Sequence, residues 1–183
     1  GDYSVESGHM RWWALALCAA ARALELGQPY HHHVAVRTRN IENSMKFYSL
    51  FGLEEIARFR IGVARCAWVA GDAGRLELIE VPESMDPPAK ARDLLNDEVA
   101  LGLNHIALDV THCGVKTMDE YLTQLNLKSE KVFSKSVKLV VPPYQQIVGK
   151  HVFELAFVQD PDGALVELLN FENTLDFDME PDW

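Results

Sequence analysis

Two similar stretches of this chain each carry a histidine at the start of a strand-like run and a glutamate between two apolar residues. These residues are His33, Glu77, His105 and Glu167, within HVAVR, LEL, HIALD and VEL. A carboxylate on a mostly buried strand is costly to desolvate unless it is paired, hydrogen-bonded or bound to a cation. Two imidazole nitrogens and two carboxylate oxygens suit a divalent ion such as Zn²⁺, Ni²⁺, Fe²⁺, Mn²⁺ or Co²⁺. Because an octahedral site would keep two positions for water or substrate, the four residues predict a catalytic metal site.

Alternation along the two histidine-bearing runs places the candidate ligands on one face, since successive side chains of a strand point to opposite faces. The other face of both runs is apolar and is predicted to pack on a helix; it consists of Val34, Val36, Ile106 and Leu108. A pseudo-two-fold axis relating the two stretches would bring the four candidate ligands to one point.

His33 is the last of three consecutive histidines, a run that a purification tag or an ordinary strand start could also explain. His32 points to the wrong face by alternation. His31 shares the face of His33, but Leu103 occupies the equivalent place in the second stretch. Three histidines are few for a tag, and they lie inside the patterned region. We therefore interpret the run as one ligand and two bystanders.

The elements that must position these residues follow the order strand, helix and three strands, twice. Asn40 can cap a helix over IENSMKFYSLF that Gly52 ends, and a second helix is predicted over VKTMDEYLTQLN (115–126). The strand-like runs after the helices are EEIARFRI, ARCAWVAG and RLELIEVP, then SVKLVV, HVFELAFV and ALVELLNF. The repeat predicts an N-terminal helical extension (1–29), a first βαβββ module (30–82), a linker (83–102), a second βαβββ module (103–171) and an acidic tail (172–183).

Composition and charge exclude several classes of protein. The 183 residues are 48% hydrophobic and 24% charged, which is typical of a globular domain. A net charge of −10 repels phosphate backbones and anionic lipid, so nucleic acid and membrane surfaces are not expected as partners. Three cysteines without a CxxC pair do not form a disulfide framework and favour a reducing compartment, the cytoplasm or an organelle stroma.

The run WWALALCAAARA near the start has the outline of a signal peptide and also of an alanine-rich amphipathic helix. We favour the helix, because Arg22 and Glu25 continue its pattern and Gly27 is a natural end. The apolar run is too short to span a bilayer. The aromatic stripe of this helix is a candidate docking surface for a protein partner.

Four segments resemble the vicinal oxygen chelate superfamily and, within it, glyoxalase I. They are HVAVRTRNIENSMKFYSLFGLEEI, RLELIEVP, LNHIALDV and FVQDPDGALVELLNF, and they span about 31–171. The most specific signal is DPDG (160–163) followed by Glu167. The resemblance implies an α+β fold, in which two βαβββ modules form an eight-stranded, incompletely closed mixed sheet around one metal. The N-terminal helix is an addition to that fold.

The resemblance assigns roles by position. It implies one divalent metal ion, Zn²⁺ or Ni²⁺, bound by His33, Glu77, His105 and Glu167. Dioxygenases and thiol transferases of the superfamily typically use a His, His, Glu set, so all four donors together fit glyoxalase I best. That family isomerises the hemithioacetal of methylglyoxal and glutathione to S-lactoylglutathione. The metal is the Lewis acid, Glu167 is the expected base, and Glu77 stands opposite it.

Two basic residues are expected to bind the glutathione co-substrate. Arg37 matches an arginine that holds a glutathione carboxylate in the family, and Lys150 lies near a basic family position. The second predicted helix, 115–126, lacks a further family arginine, and the segment 128–150 is long enough for a lid or a different pocket wall. These departures leave the metal site intact and put the glutathione pocket in question.

Other functions stay open at this point. The chain could be another metalloenzyme of the superfamily, an epimerase or dioxygenase with a different substrate. It could also be a non-catalytic binding or assembly subunit that docks through its N-terminal helix and acidic tail. The two modules could pair within one chain or across a homodimer.

Overall fold

A computed structural model of the protein describes residues 29–81 and 102–177. These residues contain the βαβββ order twice. The first module comprises β1 (Val34–Thr38), α1 (Ile41–Ser49), β2 (Glu54–Ile61), β3 (Ala64–Gly71) and β4 (Gly74–Glu80). The second comprises β5 (His105–Asp109), α2 (Met118–Phe133), β6 (Lys138–Val148), β7 (His151–Gln159) and β8 (Leu165–Thr174). The predicted N-terminal helix and most of the predicted linker lie outside the described residues, as do residues 178–183 of the predicted tail.

Each module forms its own four-stranded mixed sheet. The strand orders are β1-β4-β3-β2 and β5-β8-β7-β6, so the first and last strands of a module are neighbours. β1 runs parallel to β4 and β5 parallel to β8, whereas the other pairs are antiparallel. The predicted α+β class and the paired βαβββ modules are confirmed, with the eight strands divided between two sheets.

Capping residues explain where the helices begin and end. The side chain of Asn40 accepts a hydrogen bond from the Asn43 N–H at the start of α1, and that of Thr117 accepts one from the Glu120 N–H at the start of α2. The second helix continues beyond the predicted end at 126 to Phe133, because residues at helical spacing remain buried as far as Ser129. The segment 128–150, considered above as a lid, is therefore the end of α2 followed by β6.

β6 is an edge strand with an interrupted ladder. It pairs with β7 alone, and the register shifts between Leu139 and Val141 and again between Val141 and Tyr144. Pro142 and Pro143 lie within the second shift. Proline has no N–H to donate, so it is tolerated at a sheet edge and at bulges, where this pair occurs.

A single hydrophobic cluster draws side chains from both modules. It combines the helix-facing side of each sheet with the buried sides of the two helices. Its members include Leu76, Leu78, Val158, Val166 and Leu168 from strands, and Ile41, Met45, Met118, Leu122 and Leu125 from helices. Because these faces share one core, the opposite face of each sheet points away from it. No helix among the described residues is long and apolar enough to cross a membrane.

The DPDG turn between β7 and β8 links the second module to the first. The Asp160 carboxylate accepts hydrogen bonds from the backbone of its own turn and, at 3.1 Å, from the hydroxyl of Tyr48 on α1. Asp162 accepts a bond of 2.6 Å from the Thr38 hydroxyl at the end of β1. Burial raises the pKa of Asp160, and burial together with the Asp160 carboxylate raises the pKa of Tyr48. The motif thus has a structural role at the module junction.

Candidate metal centre

The first His–Glu pair forms where β1 lies beside β4. His33 directly precedes β1, and Glu77 is the ladder partner of Ala35. The Nε2 atom of His33 lies 2.8 Å from Oε2 of Glu77. The Glu77 side chain is 9% exposed and that of His33 is 28% exposed, so the carboxylate is largely buried while the imidazole reaches the surface.

The second pair repeats this arrangement where β5 lies beside β8. His105 is the first residue of β5, and Glu167 is the ladder partner of Ala107. The Nε2 atom of His105 lies 3.0 Å from Oε2 of Glu167, which is 13% exposed. The predicted equivalence of the two pairs therefore holds in three dimensions.

Asn104 is a site residue that the sequence did not single out. Its Oδ1 atom lies 2.9 Å from Nδ1 of His105. A histidine that donates its Nδ1–H presents the lone pair of Nε2, which is the tautomer that a metal ion requires. In the sequence, the only indication of this role is that Asn104 directly precedes His105. Adjacent residues of a strand usually point to opposite faces, so this adjacency alone does not predict a contact between their side chains.

Both pairs have a geometry that suits a divalent cation. Two ligand atoms bound at about 2.1 Å and at a right angle would lie roughly 3.0 Å apart, close to the separations of 2.8 and 3.0 Å seen here. An ordinary imidazole–carboxylate hydrogen bond has the same length, so the distance fits both states. A nitrogen and a buried carboxylate oxygen aimed at each other are also the donor types that Zn²⁺ and Ni²⁺ accept.

The two pairs do not meet within the described chain. Among residues 29–81 and 102–177, no group of three or more His, Cys, Asp or Glu side chains is placed to hold one metal ion. The shared core gives the reason. The helix-facing sides of both sheets contribute to one core, whereas each pair lies on the opposite face of its own sheet. Each module therefore presents half of the predicted ligand set.

An aromatic residue stands opposite each glutamate on the neighbouring antiparallel strand. Trp68 of β3 is the ladder partner of Glu77, and Phe157 of β7 is the ladder partner of Glu167. The indole Nε1–H of Trp68 donates a hydrogen bond of 3.3 Å to Glu77 Oε2. Phe157 instead packs edge-on against the ring of His105, 5.5 Å away. Trp68 and Phe157 occupy matching positions on the third strand of each repeat, a correspondence that no motif in the sequence marks.

The two predicted glutathione contacts lie in different places. Arg37 is exposed on β1, on the same face as Ala35 and thus on the side of the His33–Glu77 pair. Lys150 lies in the turn between β6 and β7. From Lys150 to Phe157 the chain rises by roughly 20 Å along an extended strand, so Lys150 is remote from the His105–Glu167 pair of its own module.

The histidines beside His33 differ from it in position. His31 and His32 are exposed and precede β1, and the pair with Glu77 is formed by His33. The interpretation of His33 as the ligand of this run stays a prediction.

The fold and the donors together define a class: a two-module α+β protein with one His–Glu pair on the outward face of each sheet. The sequence profile of the Glyoxalase/Bleomycin resistance protein/Dioxygenase superfamily matches residues 31–168. The chain belongs to this superfamily. No curated protein sequence matches it.

Several solved structures are similar to this chain in fold. A glyoxalase family protein from Enterococcus faecalis is 23% identical, with a TM-score of 0.56 over 77% of this chain and 97% of that one. A glyoxylase/bleomycin resistance protein/dioxygenase domain from Frankia sp. EAN1pec is 17% identical, with a TM-score of 0.52 over 80% and 95%. The trypanothione-dependent glyoxalase I of Leishmania major is 23% identical over 78% and 87%, but its TM-score of 0.48 carries no weight here. At these identities the similarity is one of fold.

Proposed function

We propose that the protein is a metal-dependent lyase of the glyoxalase I type. It would isomerise the hemithioacetal of methylglyoxal and glutathione to S-lactoylglutathione. The observation that carries the proposal is the repetition of a His–Glu pair at equivalent ladder positions of both modules, with separations of 2.8 and 3.0 Å. A four-donor His, Glu, His, Glu set distinguishes this activity from the three-donor chemistry of other superfamily enzymes.

We propose further that two chains complete each metal centre. Since the two pairs of one chain do not meet among the described residues, His33 and Glu77 of one chain would meet His105 and Glu167 of a second copy. An isologous homodimer would then hold two equivalent centres. Zn²⁺ and Ni²⁺ are the candidate ions, because both accept nitrogen and carboxylate oxygen donors.

The residues of the chain would carry the proton transfer. A bound cation would supply Lewis acidity, which lowers the cost of negative charge on the substrate oxygens. The carboxylate of Glu167 would accept the proton from the carbon of the hemithioacetal and return it to the adjacent carbon. The hydroxyl proton would pass from the first oxygen to the second, so that the reaction is a net isomerisation and the carboxylate is regenerated. The low exposure of Glu167 excludes water that would otherwise compete for the proton.

Substrate recognition would depend on charge. Arg37 lies on the face of the His33–Glu77 pair and is exposed, so its guanidinium could bind a glutathione carboxylate in two parallel hydrogen bonds. Lys150 is far from the pair of its own module and would contribute only at a surface formed with another chain.

The first experiment measures turnover and its dependence on metal. Metal-stripped protein receives Zn²⁺ or Ni²⁺, then methylglyoxal and glutathione, and thioester formation is followed by ultraviolet absorbance. We expect turnover that requires the ion. Stoichiometric metal binding without turnover would contradict the glyoxalase I assignment and favour a different substrate of the same superfamily, and absence of both would favour a non-catalytic subunit.

The second experiment tests whether centres form between chains. Glu77→Gln and Glu167→Gln chains, each with low activity at limiting metal when refolded by itself, are unfolded, mixed and refolded together. In a mixed homodimer one centre carries both substitutions and the other carries neither, so random pairing should restore about a quarter of wild-type activity. Centres formed within single chains would give no restoration. Each variant refolded by itself is the control.

A further inference from the structure

The two glutamates of the candidate metal centre have different hydrogen-bond environments, although their ladder positions are the same. Oε2 of Glu77 lies 2.8 Å from the imidazole of His33 and accepts a second bond, of 3.3 Å, from the indole N–H of Trp68. Oε2 of Glu167 lies 3.0 Å from His105, and the opposite residue, Phe157, has no polar hydrogen to donate.

The indole that donates to Glu77 is held in place from two sides. The guanidinium of Arg75 lies over the Trp68 ring, 5.5 Å from its centroid. Phe59 of β2 packs edge-on against the same ring at 5.2 Å. A ring fixed in this way has little rotational freedom, so the direction of its N–H is set before any ligand arrives.

A hydrogen bond from a fixed donor restrains a carboxylate. It holds the carboxylate of Glu77 in one orientation, with Oε2 facing Nε2 of His33. Partners of this kind orient metal ligands and raise their affinity for the ion. Glu167 has no such restraint from β7, so moving its carboxylate costs fewer interactions.

We propose that Trp68 is a positioning residue that holds Glu77 as a permanent metal ligand, and that the absence of its counterpart at Phe157 leaves Glu167 as the carboxylate that moves protons. This inference rests on the proposed function and deepens it. The roles of the two glutamates are set by the aromatic residue opposite each of them.

The first arm of the test measures metal affinity and needs no turnover. Zn²⁺ is titrated into wild-type protein and into Trp68→Phe in competition with a chromophoric chelator. Trp68→Phe keeps an aromatic ring and copies the residue of the second module, so it removes chiefly the N–H. We expect its Kd for Zn²⁺ to rise about tenfold. Phe59→Leu is the control, because it loosens the packing of the indole without removing the donor, and it should change Kd by less than Trp68→Phe.

The second arm asks whether Trp68 decides which glutamate is the base. Glu167→Gln is compared with the double variant Trp68→Phe/Glu167→Gln at saturating Zn²⁺. Releasing Glu77 from its indole partner should let it take over part of the proton transfer, so we expect the double variant to exceed Glu167→Gln in kcat by at least about fivefold. Phe157→Trp, which gives Glu167 an indole neighbour, should lower kcat below that of wild type.

The outcomes separate this inference from the proposed function. Equal Kd values for wild type and Trp68→Phe would overturn the positioning role, as would a double variant no more active than Glu167→Gln in an otherwise active enzyme. Tight Zn²⁺ binding without turnover of the hemithioacetal would overturn the lyase assignment alone, and the Kd comparison would still decide whether Trp68 holds Glu77. A wild-type protein that binds no divalent ion would overturn both.

Discussion

The first and second modules use the same ladder to bring a histidine beside a glutamate, and they differ in what surrounds that pair. In both, the residue two positions after the histidine is the ladder partner of the glutamate. Trp68 in the first module and Phe157 in the second then give the two glutamates unlike neighbours. The repeated backbone therefore fixes the positions of the histidine and glutamate donors. The aromatic residue opposite each glutamate determines how different the hydrogen bonding of the two glutamates is.

The hairpin turns before the last strand of each module differ as well. Gly71, at the end of β3, packs so closely on its own module that an added Cβ would lie 2.2 Å from the carbonyl oxygen of Gly52. The corresponding turn of the second module carries Asp160 and Asp162, which bind side chains of the first module. The turn after β3 thus packs within the first module, whereas the turn after β7 forms hydrogen bonds between the two modules.

The largest expected difference between the modules concerns their glutamates. Glu167→Gln should lower kcat by about 10²- to 10⁴-fold, because an amide cannot accept the transferred proton, while metal content stays near one ion per centre. Glu77→Gln should act mainly by weakening metal binding. Metal analysis beside steady-state kinetics on both variants checks this, and equal effects of the two substitutions on both quantities would contradict a division of roles.

Equivalent core leucines test whether the modules share one core. Leu78 of β4 and Leu168 of β8 are both fully buried in the common cluster. Leu78→Ala and Leu168→Ala should each lower the free energy of unfolding by about 2–5 kcal/mol, in a single transition in which both modules unfold together. Denaturant titration followed by circular dichroism measures this. A second transition in either variant would indicate that the modules have separate cores.

The junction between the modules is expected to contribute less. Tyr48→Phe removes the hydroxyl that donates to Asp160 and should cost about 1–3 kcal/mol of unfolding free energy, since a buried carboxylate loses a partner. Tyr121→Phe is the matched control. Burial raises the pKa of Tyr121 to about 12, yet its hydroxyl has no hydrogen-bond partner within residues 29–81 and 102–177. A loss in Tyr121→Phe as large as that in Tyr48→Phe would contradict the role of the junction bond.

The smallest expected effects concern Asp160→Asn and Glu80→Gln, which should change the loss of stability at low pH in opposite directions. Burial raises the pKa of Asp160, so the folded protein holds that proton more tightly than the unfolded chain does. This carboxyl therefore adds stability as the pH falls towards its ordinary pKa, and Asp160→Asn should lose more stability on acidification than wild type. The hydrogen bond from Arg65 lowers the pKa of Glu80, whose contribution is lost as the pH falls through that lowered pKa.

Glu80→Gln should accordingly lose less stability on acidification than wild type. Thermal melts of the three proteins between pH 7 and pH 3 measure both differences. Shifts of the same sign in Asp160→Asn and Glu80→Gln would contradict the assignment.

Sequence predicted the parts of this molecule that repeat. The alternation around His33 and His105 and the apolar runs after each helix were enough for the βαβββ order, because period-two patterns and turn residues are local signals. The sequence indicated that His33 and Glu77 are equivalent to His105 and Glu167, but not that the first and last strands of each module are neighbours, which is what places each histidine beside its glutamate. The end of α2 was missed, because the polar residues after 126 hide a buried face that continues to Ser129.

Side-chain contacts between different strands and helices could not be predicted from such local patterns. The donation from Trp68 to Glu77 depends on the antiparallel register of β3 against β4, and the bond from Tyr48 to Asp160 joins residues 112 positions apart. The direction in which each sheet faces depends on how two helix-covered faces pack, which no local pattern encodes. The sequence thus predicted one set of four converging ligands, whereas their arrangement as two His–Glu pairs required the structure.

The edge strands of the two sheets also determine where a strand of another chain can pair with this protein. β6 is broken by Pro142, Pro143 and two register shifts, and β2 carries charged side chains and a shift near Glu55. Edges of this kind do not accept an incoming strand, because proline lacks a donor and charges oppose stacking. Among residues 29–81 and 102–177, the five-residue strands β1 and β5 are the remaining sheet edges. A second strand that pairs with this protein is therefore expected to add at β1 or β5 and not at β2 or β6.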